Sequence, residues 1–198
     1  MDIEIRKLTP ALAADYFDFF ENRAFTDDSP YRCYCQMYQM SAEQVKDSLA
    51  YADANGLDGG QISRRAAEQQ IGAGTLCGYL AFAGGAAIGW CNANDRANFP
   101  TEPCTDTHFY APAEQREKAV VCFEIAPEYR GRGVATALLA RVCEDARAEG
   151  YAAVVAFPVA RAERFEWDCT GPVRLYEKAG FAKASQQGEE IFMRKMLR

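Results

Sequence analysis

The chain has 198 residues, is 49% apolar and carries a formal net charge of −6. That is enough length and apolar surface for one domain with its own core, and no apolar run approaches the roughly 18 residues of a membrane-spanning helix. The acidic balance, with only short basic runs such as Arg64-Arg65, argues against a nucleic-acid binder; it suits a cationic or neutral small partner, and a solvated acidic surface accounts for it too.

Met1-Asp2-Ile3-Glu4-Ile5-Arg6 alternates apolar and charged residues. This predicts a first strand rather than a signal peptide, and hence a soluble, cytoplasmic protein with no membrane partner. Thr9-Pro10 reads as a cap followed by proline at the first helical position, and Leu12, Tyr16, Phe17 and Phe20 give that helix its apolar stripe. The polar run Thr26-Asp27-Asp28-Ser29-Pro30 ends it. Tyr31 to Tyr38 is aromatic, sulfur-rich and expected to be extended. Ser41-Ala42-Glu43-Gln44 has the form of a capping box and opens a helix running to Asn55-Gly56. A second helix is expected from Gln61 to Ile71, with Arg64, Arg65, Glu68 and Gln69 on its polar face and Gly72-Ala73-Gly74 closing it.

Leu76 to Ala83 and Ala86 to Asn92 flank Gly84-Gly85, a hairpin signal. Ala93 to Lys118 shows no strong periodicity and holds Asp95, Pro100, Pro103 and His108. A loop this long in a compact domain is usually functional, so it is expected to border a substrate site. The apolar run Val120-Val121-Cys122-Phe123-Glu124-Ile125 reads as a strand. Beyond it, Val134, Leu138, Leu139, Val142, Cys143 and Ala146 recur at helical spacing up to a stop at Gly150. Ala152 to Phe157 has the unbroken apolar character of a buried strand, so strand, helix and strand imply a right-handed parallel crossover. Gly171-Pro172 precedes a short helix, Val173 to Ala179, and Phe181 to Ser185 and Glu190 to Leu197 read as a closing antiparallel pair.

Eight cysteines are present: Cys33, Cys35, Cys77, Cys91, Cys104, Cys122, Cys143 and Cys169. Most lie in apolar patterns and are expected to be reduced, acting as small hydrophobes. Cys33 and Cys35 share one face of an extended segment and would need Cys104 and His108 to hold a metal. That spacing does not fit the usual zinc pairs, so no metal is expected.

The informative stretch is Arg130-Gly131-Arg132-Gly133-Val134-Ala135, between the Val120–Ile125 strand and the helix starting at Val134. A glycine-rich strand-to-helix turn points several backbone N–H groups outward where the helix dipole is positive, which makes a cradle for phosphate. Cys122 to Gly133 resembles the coenzyme-binding motif of GNAT-superfamily N-acetyltransferases, Arg/Gln-x-x-Gly-x-Gly/Ala, here Arg130-x-x-Gly133-x-Ala135. Leu175-Tyr176-Glu177-Lys178-Ala179-Gly180-Phe181 resembles the family's second signature, Leu-Tyr-x-Lys-x-Gly-Phe. The resemblance covers roughly Leu76 to Arg198, and Ala24 to Gly74 looks like an elaboration of a single acetyltransferase domain spanning 1–198.

The resemblance implies an α/β (α+β) fold: a mixed, twisted, mostly antiparallel sheet of six to seven strands flanked by helices, with a wedge between two parallel strands. It implies acetyl-CoA as co-substrate, lying in the wedge like an extra strand. Carried over residue by residue, Phe123, Glu124 and Ile125 supply backbone partners to its pantetheine arm, and Gly131, Arg132, Gly133, Val134, Ala135 and Thr136 supply N–H groups to its diphosphate. Arg130 and Arg132 either add charge there or are solvated. Acetyl transfer needs a neutral amine, yet a lysine-like amine of pKa near 10.4 is neutral in only about one molecule in a few thousand at pH 7, so a proton acceptor is the larger chemical demand. Glu124 is the candidate base, with Asp95, Glu166 and His108 as alternatives. Tyr176 is the family-matched general acid for the leaving thiolate. Many family members carry asparagine seven residues before that tyrosine; here the position is Cys169, taken as an inert thiol. The expected acceptor is a primary amine of a small molecule or peptide, attacking directly in a ternary complex; a homodimer is left open. The rival reading is a catalytically silent CoA-binding sensor or partner-binding module.

Overall fold

The computed structural model describes residues 1–27, 32–100, 113–161 and 168–197. Among them, seven strands form one sheet in the order β1-β2-β3-β4-β5-β7-β6. The strands are β1 (Glu4–Lys7), β2 (Gly78–Ala83), β3 (Ala86–Asp95), β4 (Glu117–Ile125), β5 (Ala153–Ala156), β6 (Ala182–Gln187) and β7 (Glu190–Met196). Every neighbouring pair is antiparallel except β4–β5. The α-helices are α1 (Ala13–Asn22), α2 (Ala42–Asn55), α3 (Gly59–Ala73), α4 (Val134–Ala148) and α5 (Val173–Lys178). This is the mixed, mostly antiparallel sheet with one parallel pair that the motifs implied.

Two apolar clusters, one on each face of the sheet, form the core. Beneath α1, Tyr16, Phe19 and Phe20 pack with Leu80, Trp90, Val121 and Val155. The Tyr16 and Trp90 rings meet edge-on at 5.0 Å between centroids. On the other face, Val134, Leu138, Leu139 and Val142 of α4 cover Ile88, Val120 and Val154, with Tyr176 and Phe181 beside them. Each large side chain buried in this way contributes roughly 1.5–3 kcal/mol relative to exposure.

Caps and turns form where the local residues favour them. Ser41 and Gln44 form the expected capping box at the start of α2, and Gly56 ends it in the left-handed conformation. Gly84 and Gly85 both have positive φ (58° and 83°), which matches the twist of a tight hairpin. The structure departs from the local pattern in these places. Thr9 makes no side-chain cap, and Pro10–Leu12 is a single 3-10 turn before α1. The second helix starts earlier, at Gly59, because Asp58 and Gln61 form another capping box. The segment read as extended is not a strand: residues 32–36 are irregular and Met37–Gln39 forms a 3-10 turn. Cys104, His108, Glu166 and part of the long loop lie outside the described residues.

Two features shape the functional end of the sheet. β4 pairs with β5 from Glu117↔Ala153 to Val120↔Ala156, then continues to Ile125 paired with β3. Where that pairing stops, the β3–β4 register slips: Asn92 faces Cys122 but Ala93 faces Val120, leaving Val121 as a bulge. β5 itself ends at Ala156, so beyond the bulge, which bends and twists β4, no strand among the described residues pairs with this edge of β4 and a gap is left beside it. The second feature is Gly89, opposite Ile125. A Cβ there would come within 2.9 Å of both Ile125 Cδ1 and Val134 Cγ1, so glycine lets the end of β4 and the start of α4 close over β3. Gly89→Ala is expected to lower unfolding stability by about 1–3 kcal/mol, as overpacking does, read as a reduced urea midpoint with an unchanged slope.

Candidate functional site

The turn after β4 holds the clearest binding geometry. Pro127–Tyr129 forms a 3-10 turn, and Gly131 and Gly133 then take positive φ (75° and 84°), with open space where a Cβ would stand. Gly133 is the N-cap of α4, and the first turn bond is accepted by its carbonyl from the Ala137 N–H. The N–H groups of Gly131, Gly133, Val134, Ala135 and Thr136 have no partner among the described residues. Arg132 N–H differs, bonding weakly back to the Tyr129 carbonyl at 3.4 Å. Val134 is buried, which anchors the helix start, while Gly131, Gly133 and Thr136 are exposed. Orphan donors on the positive end of a 15-residue helix suit a diphosphate.

The bulge at Val121 decides which way the end of β4 points. Val121 and Cys122 both join the α1-side core, so the alternation restarts one residue later. Phe123 then faces α4 and α5, its ring 6.4 Å from that of Tyr176. Glu124 faces the α1 side, opposite Trp90 in the register. The backbone edges alternate in step. Phe123 N–H points into the gap, whereas Ala126 N–H points back to Ile88 on β3. Phe123 and Ile125 therefore present backbone groups to the gap, and Glu124, whose own backbone groups turn toward β3, reaches it only with its side chain.

Glu124 is mostly buried, with a side chain 17% exposed. Its carboxyl is pushed up to about 7, chiefly by that burial; Arg130 pulls the other way and the charge of Asp27 adds to the rise. Arg130 was read as either a phosphate ligand or a solvated side chain, and its geometry is a third case. Its Nε donates to the Ile125 carbonyl at 3.0 Å, Nη1 to Asp27 at 2.5 Å and Nη2 to Glu124 at 3.4 Å. The guanidinium fork thus ties the end of β4 to the end of the α1 segment. Arg132 is exposed, with its guanidinium 5.9 Å from the Tyr129 ring centroid. Asp95, one of the alternative bases, is taken by Arg116 at 3.1 Å near the far end of β4.

Tyr176 is fully buried, and its hydroxyl donates to the Thr170 carbonyl. Burial holds the phenol well above its ordinary value, so it stays protonated as a donor. The neighbouring segment reaches β4 as well: Phe123 N–H donates to the Cys169 carbonyl at 2.6 Å. Tyr38 Oη lies 3.3 Å from the Cys169 sulfur, and interactions with Cys122 and with Tyr38 hold the Cys169 thiol below its ordinary value against the effect of burial. No group of three or more His, Cys, Asp or Glu among the described residues could hold a metal.

Sequence reasoning missed Asn92 and Tyr38. Asn92 is completely buried on β3, donating to the Cys35 carbonyl at 2.9 Å and accepting from Gln39 at 2.9 Å. It pins residues 35–39 over β4 and so brings Tyr38 to Cys169. Cys35 itself takes a left-handed φ of 51°, unique for a non-glycine among the described residues, and this turn aims its carbonyl at Asn92. The visible signal was a polar asparagine inside an apolar strand, which must find partners when buried.

The profile of the acetyltransferase (GNAT) family matches residues 50–181. No curated protein matches the chain. Among solved structures, an acetyltransferase of the GNAT family from Streptococcus pneumoniae is 17% identical, with both chains fully covered and a TM-score of 0.57. The PaiA N-acetyltransferase of Thermoplasma acidophilum, solved with coenzyme A, is 16% identical over 99% of each chain, with a TM-score of 0.54. The GNAT domain of PAT from S. lividans is 19% identical over 98% of this chain and 90% of that one, with a TM-score of 0.56. At such identities the likeness shows the fold, and the profile match over two thirds of the sequence adds the lineage. A sheet that splits after a parallel pair, and a run of open amides at the split, are thus found in a chain that belongs to the acetyltransferase (GNAT) family.

Proposed function

We propose that the chain transfers an acetyl group from acetyl-CoA to a primary amine of a small molecule or peptide, by direct attack in a ternary complex. The observation that carries this reading is the set of amides at Gly131 and Gly133–Thr136, without partners among the described residues, beside the end of β4 that runs past β5. These amides would hold the diphosphate. The backbone groups of Phe123 and Ile125 on the gap would hold the pantetheine arm. The coenzyme supplies the activated acetyl group; the chain supplies position and proton transfer.

The two proton-transfer roles fall on opposite sides of β4. Glu124 lies on the α1 side, and a carboxylate poised at about 7 matches the working pH of a general base. Tyr176 lies on the α5 side and remains protonated, as a general acid for a departing thiolate must be. Its bond to the Thr170 carbonyl has to be released for that step. The neutral amine adds to the thioester carbonyl, Glu124 takes the proton it loses, and the tetrahedral intermediate collapses as the thiolate leaves and takes the Tyr176 proton. The acidic surroundings of Glu124 and Asp27 favour a cationic acceptor.

Gly133→Glu should abolish acetyl-CoA binding in calorimetry, because φ of 84° disfavours any side chain and the added carboxylate faces the diphosphate; unchanged affinity rules out the cradle. In the wild-type enzyme, kcat/KM for an amine should rise with pH through a limb centred near 7, since the base must be deprotonated. Glu124→Gln should remove that limb and lower the rate by about a hundredfold. Tyr176→Phe should lower kcat by about a hundredfold with little change in acetyl-CoA affinity. Tight acetyl-CoA binding with no thiol release across a broad amine panel would leave a silent CoA-binding module in place of an enzyme.

A further inference from the structure

The segment from Asp168 to Pro172 crosses the gap and is tied down at Asp168, Cys169 and Thr170. Phe123 N–H donates to the Cys169 carbonyl at 2.6 Å, and the Tyr176 hydroxyl donates to the Thr170 carbonyl. Tyr38 Oη lies 3.3 Å from the Cys169 sulfur, Arg161 pairs with Asp168 at 3.0 Å, and Cys169 packs against the apolar cluster that holds Cys122. Two adjacent carbonyls therefore cover the two groups, a β4 amide and a phenol, that the proposed reaction uses. Gly171, with φ of 80°, lets this strap lie flat: a Cβ there would stand 3.2 Å from Leu175 and 3.4 Å from the Phe123 ring.

We propose that Cys122 and Cys169 are a peroxide-oxidisable pair whose disulfide fixes this strap across the gap and shuts out acetyl-CoA. The inference rests on the reading of the gap as the coenzyme's seat. Cys169 is the half-buried member of the pair and Cys122 the buried one, so an oxidant meets Cys169 first. Interactions with Cys122 and Tyr38 hold the Cys169 thiol below its ordinary value, which favours the reactive thiolate. That thiolate attacks a peroxide oxygen, the O–O bond breaks, and Cys169 becomes a sulfenic acid while one water is released after protonation. The Cys122 sulfur then attacks the Cys169 sulfur, the S–S bond forms and the sulfenic oxygen leaves as a second water. Two thiols lose two electrons and one hydrogen peroxide gains them. Cys122 immediately precedes Phe123, so the new bond staples the strap beside the amide it already covers. A thiol reductant reverses the staple.

The test uses the purified full-length chain, hydrogen peroxide as oxidant and a phosphine reductant. Peptide mapping by mass spectrometry of the oxidised protein should show a Cys122–Cys169 cross-link. Acetyl-CoA affinity in calorimetry should fall by about tenfold or more on oxidation, because the competent open state is depleted, and return on reduction. Cys122→Ala should bind the coenzyme with an affinity that peroxide no longer changes. A cross-link between other cysteines, no cross-link, or a Cys122–Cys169 cross-link with unchanged affinity would each overturn the proposal. Failure of the reduced wild-type protein to bind acetyl-CoA would instead overturn the functional reading, and the peptide map still reports on the pair.

Discussion

One irregular residue organises the functional end of this molecule. Val121 is the extra residue in β4, and the parallel pairing with β5 ends one residue before it. β5 is paired with β4 along its whole length and ends at Ala156, and β4 runs past it from the bulge onward. The bulge bends that end of the strand, whose edge on the β5 side stays open inside the sheet. An open strand edge is normally an aggregation liability that proteins cover. Here the edge is enclosed between α1 and α5 and is covered in part by residues 169–170. The same bulge reverses the side-chain parity, which places Phe123 against Tyr176 and Glu124 on the opposite face.

The electrostatics of the gap follow from that parity. Glu124 is forced into a partly desolvated position against the aromatic layer under α1, and desolvation raises its pKa more than the nearby guanidinium lowers it. Arg130 softens the penalty without cancelling it, because it is shared with Asp27 and the Ile125 carbonyl. The result is a carboxyl that changes charge near neutrality. Arg96, Arg194 and Glu117 form a different arrangement at the opposite end of β4: Glu117 is 4% exposed and meets two guanidinium groups at 2.5 and 2.7 Å, a buried ion-pair tie between strands.

The cradle and the gap make few demands on side-chain identity. Amides at a helix start and strand groups at a bulge are backbone features, requiring glycine at Gly131 and Gly133 and a small or apolar filling elsewhere. This accounts for a fold shared with structures 16–19% identical to the chain. What is particular here lies on side chains that come from far apart: Tyr38, Asn92, Cys122 and Cys169 meet around the strap, joined by a segment whose sequence shows only aromatic and sulfur-rich composition.

The sequence alone determined the order of strands and helices, the capping boxes, the Gly84-Gly85 hairpin, the parallel crossover and the glycine turn. Each of these is encoded locally: period, cap and turn chemistry act over a few residues, and a phosphate cradle is a short backbone conformation. Two signatures, at Arg130–Ala135 and Leu175–Phe181, also carried the family. Tertiary structure decided the rest. The bulge depends on which residues of β3 face β4, so no reading of the β4 sequence could place it, and with it went the face on which Glu124 lies. The roles of Arg130, Tyr38 and Cys169 were hidden for the same reason. Their chemistry is set by partners 103, 131 and 47 positions away (Asp27, Cys169 and Cys122), brought together only when both faces of the sheet are buried.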